Sequence, residues 1–500
     1  MAVWAALSAA GAGASPPGAA RHSSIIPTPR IDKLRPERVY LAAKEAPVRI
    51  AFRGTDPAKS LAVQEGRRLL AERLQSLTAF GLLAPAAKGA ITIEKVAPAA
   101  LAGLLSGAGA AEKLEPRRLK QAYLIRAQPA GAGGTVTVRA AGELGLYYGM
   151  VSLCQLIEKD ADRRLYAPAG LVADWPAVAL RLARTSASLN TPEKVAEFVR
   201  WMPAYKINLV GLAFQGPSRN PDQNFLGNVQ THCRRCRRSG VLETIVYFCP
   251  FRGAGLDFRL EEDKRQYARL IGWIMDRGAH GVAVDFTGVP ASAGRADFEK
   301  VLRLTCEGVE AKDPAGYVLF RAPPTGRISS AGPATTEMAQ LLSKLPARIW
   351  PTWTGPYGPL IYRPLPAEPI EAWAKRAGRR PFLWVNRVFV GGQFSTPVEA
   401  GSRQYLFRGD RLPKRLGELT AGVHLSAGTG REYDKLAEVF KPDSIAYLAT
   451  AADCLWNPGP WRGPESARRA RRFAKVMIPL LAGEKIIGPV KKNMERIRLP

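Results

Sequence analysis

The 500-residue sequence is poor in acidic residues and in histidine. It has 43 aspartates and glutamates against 72 lysines and arginines, which gives a formal net charge of +29. The four histidines, at positions 22, 232, 280 and 424, do not have the spacing of metal ligands. The sequence also has no glycine-rich phosphate or dinucleotide loop after a strand and no G-x-S-x-G motif. We therefore expect no metal and no cofactor.

Long hydrophobic runs are also missing. No segment approaches the roughly 18 to 20 consecutive apolar residues of a membrane span, so no span is predicted. The first 24 residues, MAVWAALSAAGAGASPPGAARHSS, contain an apolar run without the basic residue that opens a secretory signal. They are either a weak or clipped export signal or an alanine-rich tail. The expected location is accordingly periplasmic or extracellular, or otherwise cytoplasmic.

The excess of positive charge has two interpretations. It can attract a polyanion, such as an acidic polysaccharide, nucleic acid or an anionic membrane surface. It can also reflect an arginine-biased composition on solvated helix faces. The clusters HCRRCRR (232–238) and ARRARRFAK (467–475) match no nucleic-acid-binding motif. We expect no specific binding of nucleic acid, and the charge does not predict an oligomeric state.

One C-x-x-C motif is present among the six cysteines, formed by Cys233 and Cys236 beside His232. A structural zinc site needs four ligands, and the sequence has no second C-x-x-C motif. The two cysteines are therefore either a redox or disulfide pair or two thiols on a basic helix.

Residues 25–170 have the pattern of a small α/β domain. Helical periodicity is found at 58–78 and 143–158. The strand-like runs are 48–54, 90–96, 122–128 and 135–141. The proline-containing stretch APAGLVADWPAVA (167–179) is interpreted as a connector to the next domain.

Residues 171–475 repeat a strand–helix unit eight times. The apolar runs lie at 180–185, 207–214, 243–249, 281–287, 316–321, 347–353, 381–386 and 421–426. Amphipathic helical stretches lie between them at 191–204, 262–277, 296–310, 334–345 and 367–378. Near-continuous apolar strands are typical of a parallel sheet that is covered on both faces. The sequence therefore predicts a (β/α)8 TIM barrel after the small α/β domain, and a helical extension over 476–500.

The fourth run, HGVAVDFTGV (280–289), contains one acidic residue, Asp285. Active sites of such barrels lie at the carboxyl ends of the strands, and Asp285 is the one carboxylate predicted at these ends. Burial could raise its pKa, so that it serves as the catalytic acid of a glycosidase. The alternative is a structural aspartate held by Arg321 or by a backbone amide.

Aromatic and amide side chains near the strand ends are suited to sugar recognition by stacking and by hydrogen bonding. Asp285 and Thr287 are two residues apart and point to the same side of their strand, as do Trp384 and Asn386. The alternative for each tryptophan is packing within the barrel. The predicted substrate-binding residues are Thr287, Gln215, Trp353, Trp384 and Asn386.

Scattered motifs between about 25 and 475 resemble known glycoside hydrolases. IIPTPR (25–30) and AAGELGLYYGMVSLCQLI (140–157) resemble the small domain that precedes the barrels of families 20 and 84, and DWPAVALR (174–181) resembles its connection to the barrel. AYKINLV (204–210), WTGP (353–356), FLWVN (382–386) and CLWNPGPW (454–461) resemble the β-N-acetylglucosaminidases of family 84. The resemblance implies acetamido-assisted hydrolysis of N-acetylglucosaminides.

The same resemblance implies an Asp-Asp pair after the fourth strand, one residue orienting the acetamido group and the other acting as general acid. Aligned without gaps, Thr287 and Gly288 occupy these positions; a shift of two residues places Asp285 and Phe286 there. The W-D-N motif of the family reads Trp384, Val385 and Asn386.

Three functions follow from these features. The first is hydrolysis of N-acetylglucosaminides by the family's mechanism. The second is a catalytically silent relative that binds a protein partner or a glycan containing N-acetylglucosamine, with the basic surface attracting acidic polymers. The third is a divergent hydrolase in which Asp285 works with an acid from LDFRLEED (256–263) or GRADFEK (294–300).

Overall fold

The fold is taken from a computed structural model of the whole chain. The structure describes residues 25–42, 47–77, 84–85, 90–130, 133–184, 199–213, 223–251, 256–257, 259–286, 289, 295–323, 326–329, 332–355, 367–385, 412–426, 452–453, 455–457, 469, 472–473, 475–477 and 479–481.

A mixed sheet forms the first domain. Its strands are β1 (Ile31–Tyr40), β2 (Arg49–Arg53), β3 (Ala84–Pro85), β4 (Ile91–Lys95), β5 (Tyr123–Ala130), β6 (Gly133–Ala140), β7 (Glu158–Lys159) and β8 (Leu165–Asp174). The order across the sheet is β1-β8-β5-β6-β4-β2-β3, with β7 paired to β8. The pairs β2–β3, β2–β4 and β4–β6 are parallel, whereas β1, β5 and β7 pair antiparallel with β8.

Helices cover both faces of this sheet. They are α1 (Leu61–Leu77), α2 (Pro98–Ala108), α3 (Pro116–Leu119) and α4 (Glu143–Leu156). Along β5, Tyr123 and Ile125 belong to the cluster that includes α1 and α4, while Leu124 packs with α2. Helix α4 lies very close to the sheet, because a Cβ at Gly149 would come within 2.4 Å of Val138. Glycine at this position therefore sets how closely α4 approaches the sheet.

The small α/β domain is confirmed, but it is larger than the sequence predicts. Strand β8 occupies most of the stretch that was interpreted as a connector, and it continues to Asp174, past the expected boundary at residue 170. Strand β1 was not predicted at all. Both strands depend on pairing with each other and, for β8, with β5.

The predicted TIM barrel is confirmed as a closed barrel of eight parallel strands. These are β9 (Arg181–Arg184), β10 (Leu209–Ala213), β11 (Glu243–Phe248), β12 (Gly281–Asp285), β13 (Tyr317–Arg321), β14 (Ile349–Trp353), β15 (Phe382–Val385) and β16 (Gly422–Ser426). Strand β16 pairs with β9 and closes the barrel. Each strand lies within one of the eight predicted apolar runs.

Helices follow the barrel strands on the outside. They are α5 (Gln223–Ser239), α6 (Glu261–Asp276), α7 (Arg295–Glu310), α8 (Thr336–Ser343), α9 (Ala367–Ala377) and α10 (Leu412–Leu419). A short 3-10 helix, Met202–Tyr205, precedes β10. Of the predicted C-terminal extension, residues 476–477 and 479–481 are helical, and 482–500 lie outside the described residues.

A fully buried ion pair joins the two domains. Lys206, which precedes β10, donates from Nζ to Asp174 Oδ2 at 2.9 Å and to the Tyr123 hydroxyl at 2.8 Å. Asp174 ends β8 of the first domain. The indole ring of Trp456 lies 4.3 Å from the Lys206 ammonium. The orientation of the barrel relative to the sheet is thus set by charged as well as apolar contacts.

The C-x-x-C motif lies on α5, and both of its cysteines are free thiols buried in the core. Burial raises the pKa of Cys236 to about 11 and also raises that of Cys233. The structure therefore supports the interpretation as thiols on a helix rather than a disulfide pair.

Among the described helices, none is both long and apolar enough to cross a membrane. In the same part of the chain, no group of three or more histidine, cysteine, aspartate or glutamate residues is arranged to hold a metal ion.

Candidate functional site

Polar and aromatic side chains meet inside the barrel near the carboxyl ends of its strands. Arg184, Asp285 and Arg321 are each the last residue of a strand, and Asp285 lies opposite Arg321 in the register. Trp384 lies opposite His424. We call the following residues the mouth cluster: Arg184, Tyr247, Asp285, Arg321, Trp384 and His424.

Two donors among the described residues contact Asp285. Its Oδ2 accepts a hydrogen bond from the Tyr247 hydroxyl at 2.8 Å and an ion pair from Arg321 Nη1 at 3.2 Å. The residue is 4% exposed. Both the predicted position in the barrel mouth and the anticipated contact with Arg321 are therefore present, and Oδ2 acts as an acceptor in both contacts.

Tyr247 remains a phenol and donates a hydrogen bond to Asp285. Burial, followed by the nearby Asp285 carboxylate, raises the pKa of Tyr247 well above its usual range. The guanidinium of Arg184 lies 4.3 Å from the centre of the Tyr247 ring. The tyrosine thus connects the carboxylate to the first strand of the barrel.

The ring of Trp384 is covered by other members of the mouth cluster. The imidazole of His424 stacks on it at 5.0 Å between ring centres, with an interplanar angle of 16°. The guanidinium of Arg321 lies 4.2 Å from the indole centre, and that of Arg184 lies 5.2 Å from it. The ring of Trp384 is therefore packed against His424 and both arginines.

His424 is completely buried and is neutral at physiological pH. Burial lowers its pKa well below 6.5, and the positive charges of Arg184 and Arg321 lower it further. A neutral imidazole offers one donor and one acceptor. Among the described residues, neither ring nitrogen of His424 nor Nε1 of Trp384 has a hydrogen-bond partner.

His424 should make the stability of the fold dependent on pH. The histidine titrates near 6.5 in the unfolded chain and far lower in the folded protein, so the unfolded state binds the proton first as the pH falls. The free energy of unfolding should decrease by about 1.4 kcal/mol per pH unit below about pH 6.5 because of this residue, and not above it.

The measurement is chemical denaturation of the wild type and of His424→Gln at pH 7, 6 and 5. Burial also lowers the pKa of His280, but this residue contributes equally to both proteins. The wild type should lose stability more steeply than the variant, and equal slopes would contradict the neutral, buried state of His424.

Apart from Trp384, one of the predicted substrate-binding residues, Trp353, lies in the described part of the chain. Thr287, Gln215 and Asn386 lie outside the described residues. Trp353 is 1% exposed and points away from the barrel interior, toward Trp373 of α9 at 5.9 Å between ring centres. Its indole N–H donates to the Gly332 carbonyl. Trp353 is therefore not part of the mouth cluster, and its environment is that of a packing residue.

Phe286, directly after Asp285, points away from the barrel interior and into the core between the strands and the surrounding helices. It is fully buried and contacts Phe298 at 5.0 Å and Phe251 at 5.4 Å between ring centres. Its backbone N–H donates to the Arg321 carbonyl, which continues the pairing of β12 with β13. The residue beside Asp285 is thus an aromatic core residue.

The acids of the two neighbouring segments that the structure describes make local contacts. Glu261 pairs with Lys264 and Lys300, and the Asp263 carboxylate accepts from the Asp257 backbone N–H. Glu299 pairs with Arg303 on its own helix. No contact of these acids with Asp285 is seen in the described part of the chain.

Sequence reasoning did not identify Arg184, Tyr247 or His424 as site residues. Arg184 and Tyr247 each lie two positions after an inward-facing apolar residue of the same strand, Leu182 and Ile245 respectively. His424 lies opposite Leu182 in the register of β16 with β9. A polar residue at an inward position of an otherwise apolar strand is the signal that could have identified them.

Comparison with known proteins agrees with the fold. Residues 22–175 match the sequence family described as glycosyl hydrolase family 20, domain 2. No curated protein matches the chain by sequence.

Among solved structures, CpGH84B has 16% sequence identity and a TM-score of 0.61, with 92% of this chain and 74% of that chain covered. The family 20 β-N-acetylhexosaminidase from Streptomyces coelicolor A3(2) has 14% identity and a TM-score of 0.63, with 92% and 97% covered. The chain has the fold of family 20 and family 84 glycoside hydrolases.

A mutant β-hexosaminidase from Streptomyces plicatus, in complex with its product N-acetylglucosamine, is also similar. It has 14% identity and a TM-score of 0.61, with 93% of this chain and 97% of that chain covered. At these identities the likeness establishes the fold, and the chemistry has to be argued from the mouth cluster.

Proposed function

We propose that this protein binds a glycan containing N-acetylglucosamine at the mouth cluster, and that it does not use the paired carboxylates of the hydrolases whose fold it shares. The observation that supports the proposal most directly is the Asp285–Phe286 sequence at the end of β12. Asp285 is paired with Arg321, and the next residue is buried among phenylalanines.

Acetamido-assisted hydrolysis requires two groups. One carboxylate orients the acetamido group, and a second group protonates the leaving oxygen. Asp285 accepts hydrogen bonds from Tyr247 and Arg321, which suits an orienting role or the stabilisation of charge. Phe286 cannot donate a proton, so the adjacent position does not supply the acid.

The binding part of the proposal is supported by unpartnered polar atoms in the mouth cluster. Within the described residues, Nε1 of Trp384, both nitrogens of His424 and Nε of Arg321 are buried without a hydrogen-bond partner. Buried polar atoms are normally satisfied, and clusters of exceptions mark positions for a ligand or water. The hydroxyl and amide groups of an N-acetylated sugar match these atoms.

Hydrolysis is the second candidate. It is favoured by the position of Asp285, a buried carboxylate at the strand end where active sites of such barrels lie. In this case Asp285 would act with an acid from outside the described residues.

One experiment separates the two candidates. Hydrolysis of a chromogenic N-acetyl-β-glucosaminide and calorimetric binding of chitotetraose are measured for the wild type, Asp285→Asn and a control, Asp162→Asn. Asp162 lies on the surface of the first domain, with its side chain 70% exposed.

We expect binding without turnover, and binding at least about 10-fold weaker in Asp285→Asn, because loss of the carboxylate charge breaks the ion pair with Arg321 and disturbs the cluster. The control should behave as the wild type. Turnover that disappears in Asp285→Asn would favour hydrolysis, and folded protein that neither binds nor hydrolyses would contradict both candidates.

A further inference from the structure

Arg184 is a buried guanidinium without an acidic partner. It is 7% exposed, and no carboxylate forms an ion pair with it among the described residues. Its contacts are the rings of Tyr247 at 4.3 Å and Trp384 at 5.2 Å. The barrel has room for the Arg184 side chain because its register partner is a glycine, Gly211. A Cβ at Gly211 would lie 3.2 Å from Arg184 Cγ.

The charges of the mouth cluster do not balance. Arg321 is neutralised by its ion pair with Asp285. His424 is neutral, since burial and the two arginines lower its pKa. Among the described residues of the mouth cluster, the positive charge of Arg184 is left without a carboxylate partner.

Ring contacts do not compensate for this burial. A cation–π contact recovers part of the hydration that a guanidinium loses, whereas a buried charge is ordinarily paired or hydrogen-bonded to an opposite charge. The arginine fork fits planar oxyanions and can donate two parallel hydrogen bonds to them. The neighbouring Nε1 of Trp384, which has no partner among the described residues, is a further donor in reach of the same cluster.

We infer that the glycan bound at the mouth cluster carries one acid group, a carboxylate or a sulfate ester, and that this group pairs with Arg184. The inference rests on the proposed function for the location of the ligand, and it adds the charge of the ligand and the residue that recognises it. Arg184 would then select acidic glycans over neutral ones of the same length.

The test compares ligands on the unaltered protein first. Calorimetry at physiological salt is carried out with a tetrasaccharide of alternating N-acetylglucosamine and glucuronic acid, with its carboxyl-reduced form, and with neutral chitotetraose. Chitobiose with and without a 6-O-sulfate tests the sulfate source, and free glucuronate tests the acid group without N-acetylglucosamine.

We expect at least one acidic ligand to bind about 10- to 100-fold more tightly than its neutral counterpart, the range for a charge-assisted contact at a buried site. A preference for the glucuronic acid ligand identifies a carboxylate, and a preference for the sulfated chitobiose identifies a sulfate ester.

Variants then locate the contact. Arg184→Gln should lose the preference for the acidic ligand, and Arg184→Lys, which keeps the charge but not the fork, should retain part of it. The matched control is Arg234→Gln, which removes one charge from an exposed position of α5. It should keep the full preference, so that attraction by the basic surface as a whole is excluded.

The outcomes separate this inference from the proposed function. Equal binding of acidic and neutral ligands overturns the inference while the proposed function stands. A preference that survives in folded Arg184→Gln also overturns it. Arg184-dependent binding of glucuronate, without binding of any ligand that contains N-acetylglucosamine, supports the acid-binding role and contradicts the proposed function.

Discussion

Replacing Lys206 with methionine is expected to lower the free energy of unfolding by about 3–5 kcal/mol, the usual cost of removing one partner from a buried ion pair. The side chains of Lys206 and Asp174 are both 0% exposed. Methionine fills a similar volume but removes the positive charge that contacts the buried Asp174 carboxylate. Tyr123 and the backbone N–H groups of Arg30 and Trp175 would still donate to it, so the lost contribution is mainly that of the charge.

The backbone at Lys206 indicates how strongly this contact is maintained. Lys206 has φ 57° and ψ 26°, a left-handed conformation that is unfavourable for a residue with a side chain. Burial lowers the pKa of its ammonium group, and attraction to Asp174 opposes this effect. The fold therefore accepts both backbone strain and desolvation at the position that joins the barrel to the first domain.

Urea denaturation followed by circular dichroism measures the effect of Lys206→Met. The control is Lys300→Met, which breaks an exposed pair with Glu261 and should cost no more than about 1 kcal/mol. The double variant Lys206→Met with Asp174→Asn should regain part of the loss, because the unpaired charge is gone. Equal losses in Lys206→Met and Lys300→Met would show that the pair contributes nothing beyond a surface contact.

Local periodicity was sufficient to predict the barrel but not the edge of the first domain's sheet. Each barrel strand is covered on both faces, so its sequence is mostly apolar and can be recognised without knowledge of its neighbours. Strand β1 is largely exposed and has an irregular register between Leu34 and Arg38. Strand β8 contains Pro168 and Gly170, which are typical of loops. Pairing between distant segments stabilises these two strands, and no local pattern records such pairing.

The site could be predicted only in part for a related reason. A strand that is apolar on both faces does not show which face points into the barrel. Asp285 was predicted as a site residue, and Arg321 was one of two partners considered for it, because a lone acid in an apolar run needs a partner. Trp353 and Trp384 looked equivalent at strand ends, yet the first faces the helices and the second faces the interior. Arg184 and His424 can be identified as site residues only from the closed barrel, which shows which strand positions point into its interior.

The two halves of the mouth cluster have different origins in the sequence. Asp285 and Arg321 form an ion pair on adjacent strands β12 and β13. Arg184 and His424 lie on β9 and β16, the strands that meet only when the barrel closes. The unpaired charge and the unpartnered nitrogens of His424 therefore occur at the closure, beside rather than within the ion pair.

Replacing Phe286 with alanine is expected to lower the free energy of unfolding by about 3–5 kcal/mol, the usual cost of emptying a buried phenylalanine site. Phe286 contacts Phe251, Phe298 and Phe320 in the layer between β12, β13 and the helices. Phe52→Ala is the control, because Phe52 is only partly buried against the core and its loss should cost less.

Phe286→Glu is compared with Phe286→Ala, because it places a second carboxylate directly after Asp285. Successive side chains of a strand point to opposite faces, and the Phe286 N–H bond to the Arg321 carbonyl holds the backbone in that pattern. The new carboxylate would enter the phenylalanine layer instead of the barrel mouth. We expect a loss of stability at least as large as in Phe286→Ala, and no hydrolysis of the chromogenic N-acetyl-β-glucosaminide. A stable Phe286→Glu protein that hydrolyses this substrate would show instead that the position can turn into the mouth and that one substitution separates this barrel from a working hydrolase.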